Sequence, residues 1–392
     1  MRKITADWLF PISSAPVREG VLILDEAQRV VAIEDRAAHD PASLDHQHGV
    51  LVPGFVNTHC HLELSHMKGK VATGTGLIPF IQRVVTQREV AQEEIDAAIV
   101  AADREMYEAG IVAVGDISNQ TDTFAQKDRS SIRYYTFVEM FDFLQDASAA
   151  AEFEKYRSVY EAHSDHPKNR RTAVPHAPYS VSPQLFARID QLNGPAPQTI
   201  SIHNQETPPE NELFLQKSGG FIDFYQGFGI SLEDFTATGQ TAIHYALAHL
   251  NPQQRTLFVH NTLSTSADIQ AAQAWGREVY WATCPNANLY IENRLPNYRA
   301  FLERDAKMTI GTDSLTSNWQ LSVLEELKTI ARYQSYVPFE TLLRWATLNG
   351  AEALGFADEL GSFEVGKQPG VNLLTVGADW QLSEGTEVLR LV

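Results

Sequence analysis

Short apolar runs recur along the middle of the chain, and each breaks off in a polar or small residue. They read LVPGFVNTHCH, IVAVGDIS, RYYTFVEMF, RTAVPHAPYS, TISIHNQE, TLFVHNT, VYWATCP and MTIGTDS. Runs of this length, rich in Val, Ile, Phe and Tyr, predict buried β-strands. Between most of them lie helical stretches: LIPFIQRVVTQREVAQEEIDAAIVAADREMYEAG (77–110), SPQLFARIDQL, STSADIQAAQAWG and WQLSVLEELKTIARYQ. Several start with Ser, Thr or Asp in the cap position, and the first and third close on Gly. Eight strands alternating with helices predict an α/β fold, the closed (β/α)8 TIM barrel. An open doubly wound sheet is the rival, but no GxGxxG follows the first strand of this region.

The two ends have a different texture. KITADWLFPI, EGVLILDE and QRVVAIED at the start, and GSFEVGKQPGVNLLTV near the finish, are apolar runs broken by Gly, Asp and Pro. They predict short strands and turns. We expect a small β-sandwich domain from residues 1–50 plus 355–392, beside a barrel over 51–354. Periodicity leaves open whether the two ends pair.

In a (β/α)8 barrel the chemistry sits at the C-terminal ends of the strands, where this chain concentrates its polar residues. The first strand ends in THCH. Positions two apart on a strand face the same way, so His59 and His61 can present two imidazoles to one divalent cation. SIHNQET adds His203 and Glu206 after the fifth strand, FVHNT adds His260 after the sixth, and TIGTDS adds Asp313 after the eighth. Any one of these alone is ordinarily structural. Four histidines and two carboxylates at four strand ends together predict a metal site, because three imidazoles and a carboxylate hold a divalent ion and leave room for a water.

The segments PGFVNTHCH, HAPYSVSP, HNQE, VHNT, TCPNANL and GTDS, in that order from about 51 to 315, resemble the amidohydrolase superfamily. The matching branch is that of cytosine-, guanine- and adenosine-type deaminases and triazine chlorohydrolases. GSFEVGKQPGVNLL resembles the segment that returns to the small β domain in that family. The resemblance implies one divalent metal ion, zinc or iron, on His59, His61, His203 and Asp313. It makes Glu206 the proton shuttle and His260 the residue that orients the attacking water, with Asp313 able to take a proton. Dinuclear branches use a carboxylated lysine on the fourth strand. RTAVPHAPYS has no lysine, so a single metal is expected. The implied chemistry is addition of water to an amidine-like ring carbon and loss of ammonia, with metal and glutamate dividing the work as in zinc deaminases of another fold.

THCHLELS, FIQRVVTQRE, VPHAPYSVSP, CPNANLYIENRLPNY and GTDSLTSNWQLSVLEEL look most like the aminodeoxyfutalosine deaminases of menaquinone biosynthesis. That implies a 6-aminopurine nucleoside bearing a carboxyphenyl ketone, with His176 contacting it. Glu63 keeps the facing of His61 if the strand continues, and then reads the purine edge; otherwise it is a salt-bridge partner. Asn288 and Trp319 are expected in mouth loops, where either can touch the ligand or serve only to pack the loop. Arg83, Arg88 and Arg294 are candidates for a substrate carboxylate, Arg294 first. The Gly- and Phe-rich segment KSGGFIDFYQGFGISLEDFTATGQ can be a lid, a packing insertion or a subunit contact. The rivals are adenosine, methylthioadenosine, S-adenosylhomocysteine, guanine or a chlorinated triazine as substrate, an amidase-type hydrolase, and a metal- or ligand-binding barrel without turnover. A binding module has no need of the proton shuttle Glu206.

Composition narrows the partners. A formal net charge of −18 over 392 residues opposes encounter with nucleic acid or an anionic membrane, which leaves a small-molecule substrate. Two cysteines, Cys60 and Cys284, argue against a disulfide framework and suit a reducing compartment. MRKITADWLFPISSAPVREGV has no uninterrupted apolar core of a secretory leader, and no run reaches membrane-spanning length. A cytoplasmic enzyme is expected, and family precedent implies a homodimer.

Overall fold

The computed structural model describes residues 1–164, 166–377 and 379–392. All eight expected strands of the middle region are present: Phe55–Cys60, Ile111–Ser118, Arg133–Met140, Arg170–Pro175, Thr199–Asn204, Arg255–His260, Glu278–Thr283 and Lys307–Ile310. Strands one to four and five to eight form two four-stranded arcs, each parallel throughout. Hydrogen bonds join the arcs at both edges. His203 N donates to His176 O at 2.9 Å across one seam, and Thr312 N donates to His59 O at 3.0 Å across the other. The ring is thereby closed.

Successive strand residues go to opposite sides, as the two-residue period requires. Val56, Ala113, Phe137 and Val174 pack with Leu354 and Phe356 in one buried cluster. Their chain neighbours Phe55, Val114, Val138 and Ala173 join the larger cluster made with the helices, through Ile99, Met106, Tyr156 and Ile189. The helices carry the expected caps. Ser182 accepts from Leu185 N, and Thr265 and Asp268 form a capping box.

One expected helix differs. The stretch 77–110 is two helices, Leu77–Gln87 and Gln92–Glu108. Side chains interrupt it: Arg88 O bonds His66 Nε2 at 2.8 Å, and the Arg88 guanidinium bonds Glu63 at 3.2 Å. Arg88 is thus fixed by partners outside the helix.

Both chain ends contribute to one five-stranded sheet, in the order Val388–Arg390, Val371–Leu374, Val50–Pro53, Trp8–Leu9, Val17–Arg18. Leu373 pairs with Leu51 antiparallel, and Trp8 pairs with Val50 parallel. A second sheet orders Val30–Asp35, Gly20–Leu24, Arg2–Thr5 and Asp45–His46. Ile4, Leu22 and Leu24 of this sheet and Leu9, Leu51 and Leu373 of the first share a buried cluster. Val50–Pro53 runs straight on into the first barrel strand and so ties the sheets to the barrel. Among the described residues no helix is long and apolar enough to cross a membrane.

Candidate active site

The first barrel strand carries His59 at its end, and the chain turns after His61 into a short 3₁₀ helix, Leu62–Met67. His61 Nε2 lies 3.2 Å from His59 Nε2 and 3.3 Å from His203 Nε2. Asp313 Oδ1 lies 3.5 Å from His59 Nε2 and 3.4 Å from His61 Nε2. His260, buried, belongs to the same cluster through His59 and Asp313. The expected residues from strands one, five, six and eight meet at one rim.

This donor set suits a cation. His203 Nδ1 sits 2.8 Å from the His176 carbonyl, which can only accept, so Nδ1 carries the hydrogen and Nε2 is left as a lone pair in neutral His203. In their neutral forms such nitrogens, converging on one place with the Asp313 carboxylate, can serve as ligands of one divalent ion. Four ligands at about 2.0–2.1 Å from a tetrahedral ion stand roughly 3.3–3.4 Å apart, the spacing observed between these donors. The residues present fit a divalent metal.

Local backbone and neighbours set the groups in place. His260 (φ 70°) and Asp313 (φ 58°) are both in the left-handed region, rare for residues with a β-carbon and costing about 1–3 kcal/mol each. Asp313 N is held by His59 O at 3.0 Å, and Asp313 Oδ2 accepts from Ser317 Oγ at 2.5 Å. Gly311 lets the eighth strand pass close to the first: a Cβ there would stand 2.8 Å from His59 Cβ and from Cys284 Sγ. Glu210 accepts from the backbone N–H of Gln205 (2.9 Å) and Glu206 (3.0 Å), fixing the turn that presents Glu206.

Burial dominates the electrostatics. It pushes His59, His61, His260 and His176 down to about 4, so these rings are neutral near pH 7. Burial works the same way on His203, but the Glu139 carboxylate beside it more than offsets this and raises it to about 9. Burial also opposes ionisation of Asp313, yet the imidazoles of His59, His61 and His260 hold it well below the usual carboxylate range. Glu206 is pushed far up by burial, aided by the nearby Asp313 and Glu210 charges. Its Oε2 stands 3.7 Å from His260 Nε2, and its buried Oε1 has no hydrogen-bond partner. Glu206 is therefore a carboxyl group suited to holding and passing a proton at the edge of the cluster.

The cavity above the cluster is mostly apolar. Helix Leu77–Gln87 supplies Leu77, Phe80, Ile81 and Val84, and helix Gly220–Gly227 supplies Phe224 and Tyr225. The segment flagged as a lid, insertion or contact thus walls the cavity with its first helix. There Phe221 stacks on Tyr179 at 4.3 Å and Tyr225 OH donates to Tyr179 O.

His176, expected at the ligand, lines this cavity, with Nδ1 2.6 Å from Ser180 Oγ. Three expected contacts are placed otherwise. Glu63 is committed elsewhere: its Oε2 accepts from Asn119 N (2.9 Å) and Gln120 N (3.1 Å), and its Oε1 faces Arg88. The strand stops at Cys60, so the facing that Glu63 would have shared with His61 is lost. Asn288 is fully buried outside the cavity lining, and its Oδ1 accepts from His260 Nδ1 at 2.9 Å. It orients the imidazole. Arg294 is exposed and away from the lining, as is Arg83, and among the described residues Arg88 is the one Lys or Arg that lines the cavity. Trp319 is half-exposed against Tyr290. Cys60 and Cys284 are buried free thiols whose ionisation burial opposes.

The sequence reading missed Glu139 and Asn119, which both line the cavity. Glu139 lies near the end of the third strand, and Asn119 directly follows the second. The signal was the one used for the other strands: a polar residue where an apolar run stops.

Fold and site together define a barrel hydrolase with a His/Asp centre fit for a divalent metal. Comparison with known proteins gives the lineage. The chain belongs to the amidohydrolase family, whose model matches residues 50–383. An aminodeoxyfutalosine deaminase of Nitratiruptor sp. is 27% identical over 85% of this chain and 81% of its own length. An adenosine deaminase of Helicobacter pylori is 25% identical over 82% and 78%. Among solved structures, Helicobacter pylori aminofutalosine deaminase in complex with methylthio-coformycin superposes with a TM-score of 0.81 at 23% identity, covering 96% of this chain and 93% of that one. Atrazine chlorohydrolase of Arthrobacter aurescens complexed with zinc gives 0.75 at 17%, covering 95% and 86%.

Proposed function

We propose that the protein is a metal-dependent aminohydrolase of 6-aminopurine nucleosides, with aminodeoxyfutalosine as its substrate and futalosine and ammonia as products. The observation that carries this reading is Glu206. It is a buried carboxyl with one unpartnered oxygen, set beside a cluster of imidazole nitrogens and an ionised aspartate. Such a group can take a proton on one side and deliver it to a leaving amine on the other.

His59, His61, His203 and Asp313 would hold one divalent ion, zinc or iron, and when bound it supplies Lewis-acid activation of water near neutral pH. Glu206 holds the transferable proton. His260, neutral and fixed through Nδ1 by Asn288, turns the lone pair of Nε2 toward Glu206 and accepts a hydrogen bond from the attacking water. The apolar walls keep other water away from the reacting carbon.

Relatives named for adenosine, aminodeoxyfutalosine, methylthioadenosine/S-adenosylhomocysteine and 5′-deoxyadenosine share 23–27% identity with the chain, so the base and sugar class is common to all of them. The cavity favours the aromatic carboxylate among these. Its walls carry Phe80, Phe141, Phe143 and Phe224, and Arg88, which also lines it, spends among the described residues one guanidinium nitrogen, on Glu63. An aromatic ring ending in an anion matches that pairing.

The test measures ammonia release from aminodeoxyfutalosine, adenosine, methylthioadenosine and guanine by the wild type, Glu206→Gln and Arg88→Met. The expected result is fastest turnover of aminodeoxyfutalosine, none measurable in Glu206→Gln with its metal retained, and a KM raised roughly tenfold or more in Arg88→Met for the carboxylate substrate only. Wild-type activity in Glu206→Gln would end the mechanism. Equal effects of Arg88→Met on all nucleosides would end the substrate assignment.

A further inference from the structure

The turn after the third barrel strand holds an unusual backbone. Phe143 (φ 56°) and Leu144 (φ 60°) are consecutive left-handed residues, and neither is the glycine, asparagine or aspartate that favours this region. Such strain persists only where the surroundings over-determine it. Here the preceding residue, Asp142, is buried and ties the turn to the segment after the fourth strand. Its Oδ1 accepts from Ser182 N at 2.8 Å, and its Oδ2 accepts from Ser182 Oγ. Asp142 N and Phe143 N both donate to Ser180 O, at 3.0 and 2.9 Å. Burial pushes Asp142 up to about 6 against the Ser182 donors, so its carboxylate is ionised near pH 7. Asp142 lies outside the cavity lining, but Phe141 and Phe143 on either side of it both line the cavity. Glycine at this position would take the backbone of Phe143 without strain and leave that wall bare.

Aromatic rings run outward from the His/Asp cluster in steps. Ring centres are 4.9 Å apart from His203 to His176, 5.7 Å from His176 to Phe141 and 5.1 Å from Phe141 to Phe143. Tyr225 continues the row, 6.1 Å from Phe143. The 6-amino group must lie at Glu206 and the His/Asp cluster for the reaction to occur, which puts the base at the inner end of the row. Phe143, three rings out, is then level with what the sugar carries at its 5′ carbon. We propose that Asp142 is a positioning residue for substrate selection: through Ser180 and Ser182 it holds the Phe141–Leu144 turn in its left-handed form, so that Phe143 packs against an aromatic 5′ substituent of the nucleoside. The proposal rests on the nucleoside deaminase reading and adds the device that sets the selectivity of that site. Release of the clamp lets the turn relax and takes the Phe143 ring off the wall.

Two nucleosides that share base and ribose and lack any carboxylate isolate the effect: 5′-deoxyadenosine and 5′-deoxy-5′-phenylthioadenosine. kcat and KM are measured for both with the metal-loaded wild type, Asp142→Ala, Asp142→Asn, Phe143→Ala and the double variant Asp142→Ala/Phe143→Ala. Wild type is expected to show a KM roughly ten- to 100-fold lower for the phenylthio compound, the scale of burying one aromatic ring. Asp142→Ala should lose most of that ratio, with kcat on 5′-deoxyadenosine changed far less than the ratio. Asp142→Asn, which still accepts from Ser182 N, should recover part of it. The double variant should lose no more than the larger single loss, because both substitutions act through the same ring.

A wild-type KM ratio in Asp142→Ala overturns the proposal and leaves the deaminase reading intact. So does an equal rise in KM for both nucleosides, or a double variant in which the two losses multiply. If Asp142→Ala does not fold, Asp142→Asn and Phe143→Ala decide: an unchanged ratio in either refutes the assignment. A wild type that turns over neither nucleoside removes both readings.

Discussion

Asn288 makes one hydrogen bond on which the orientation of His260 depends. Its Oδ1 accepts from His260 Nδ1 at 2.9 Å, and both side chains are buried. The bond keeps the hydrogen on Nδ1 and leaves Nε2 as a lone pair directed toward Glu206. Asn288→Leu keeps the volume and removes the acceptor, stranding a buried N–H. Leaving such a donor unpaired costs about 1–3 kcal/mol, and the alternative tautomer, with its hydrogen on Nε2, escapes that penalty. At about 1.4 kcal/mol per tenfold, the working tautomer becomes rarer by roughly five- to 150-fold. kcat for a 6-aminopurine nucleoside should fall by that factor, with KM and metal content little changed.

Asn288→Asp provides the contrasting case. A carboxylate at this position stabilises imidazolium, so His260, held near 4 by burial, should titrate higher. The acidic limb of the pH–rate profile should then move up by about 1–3 units. Wild-type kcat in Asn288→Leu, or an unshifted acidic limb in Asn288→Asp, would refute the argument.

Three further outcomes follow from particular contacts. Chelation should abolish turnover and lower Tm, with zinc or iron restoring both. A ligand at 1,000 times its Kd adds about 4 kcal/mol, so unchanged stability and activity after complete metal removal would contradict the site. Asp116→Asn strands the buried Lys127 ammonium, which now lies 2.6 Å from Asp116 Oδ2, and should cost about 3–5 kcal/mol in urea unfolding; adding Lys127→Met should recover much of it. Burial raises Glu326 to about 8 even though Asn286 N and Asn318 Nδ2 donate to it. The folded chain therefore keeps a proton that the unfolded chain releases above its usual 4.5, and stability declines as pH climbs from there to about 8. Glu326→Gln should flatten that decline in Tm measured against pH; an unaltered slope would show that Glu326 is already ionised.

Much of this was legible in the chain because two signals repeat. Each strand is a short apolar run, and the residue where it stops is either chemistry or a turn. The alternation rule brought His59 and His61 to one side even though the strand ends between them. It failed for Glu63 two positions on, where the 3₁₀ turn over Leu62–Met67 redirects the side chain. Spacing along one segment also cannot show contacts made from another. The break at Arg88 depends on His66 and Glu63, and the role of Asn288 depends on His260. Arg88 and Arg294 look alike in the sequence, and only the path of the helix Leu77–Gln87 puts the first at the cavity. Left-handed backbone at His260 and Asp313 has no signature in residues that carry a Cβ.

The ring is closed at two seams, and its donors are divided between the halves. Residues up to the fourth strand supply His59 and His61, and those from the fifth onward supply His203 and Asp313. An ion bound among them is a rivet through both halves, so each half of the chain alone carries an incomplete set of ligands. Chemistry in this molecule begins only once the two ends of the ring have met.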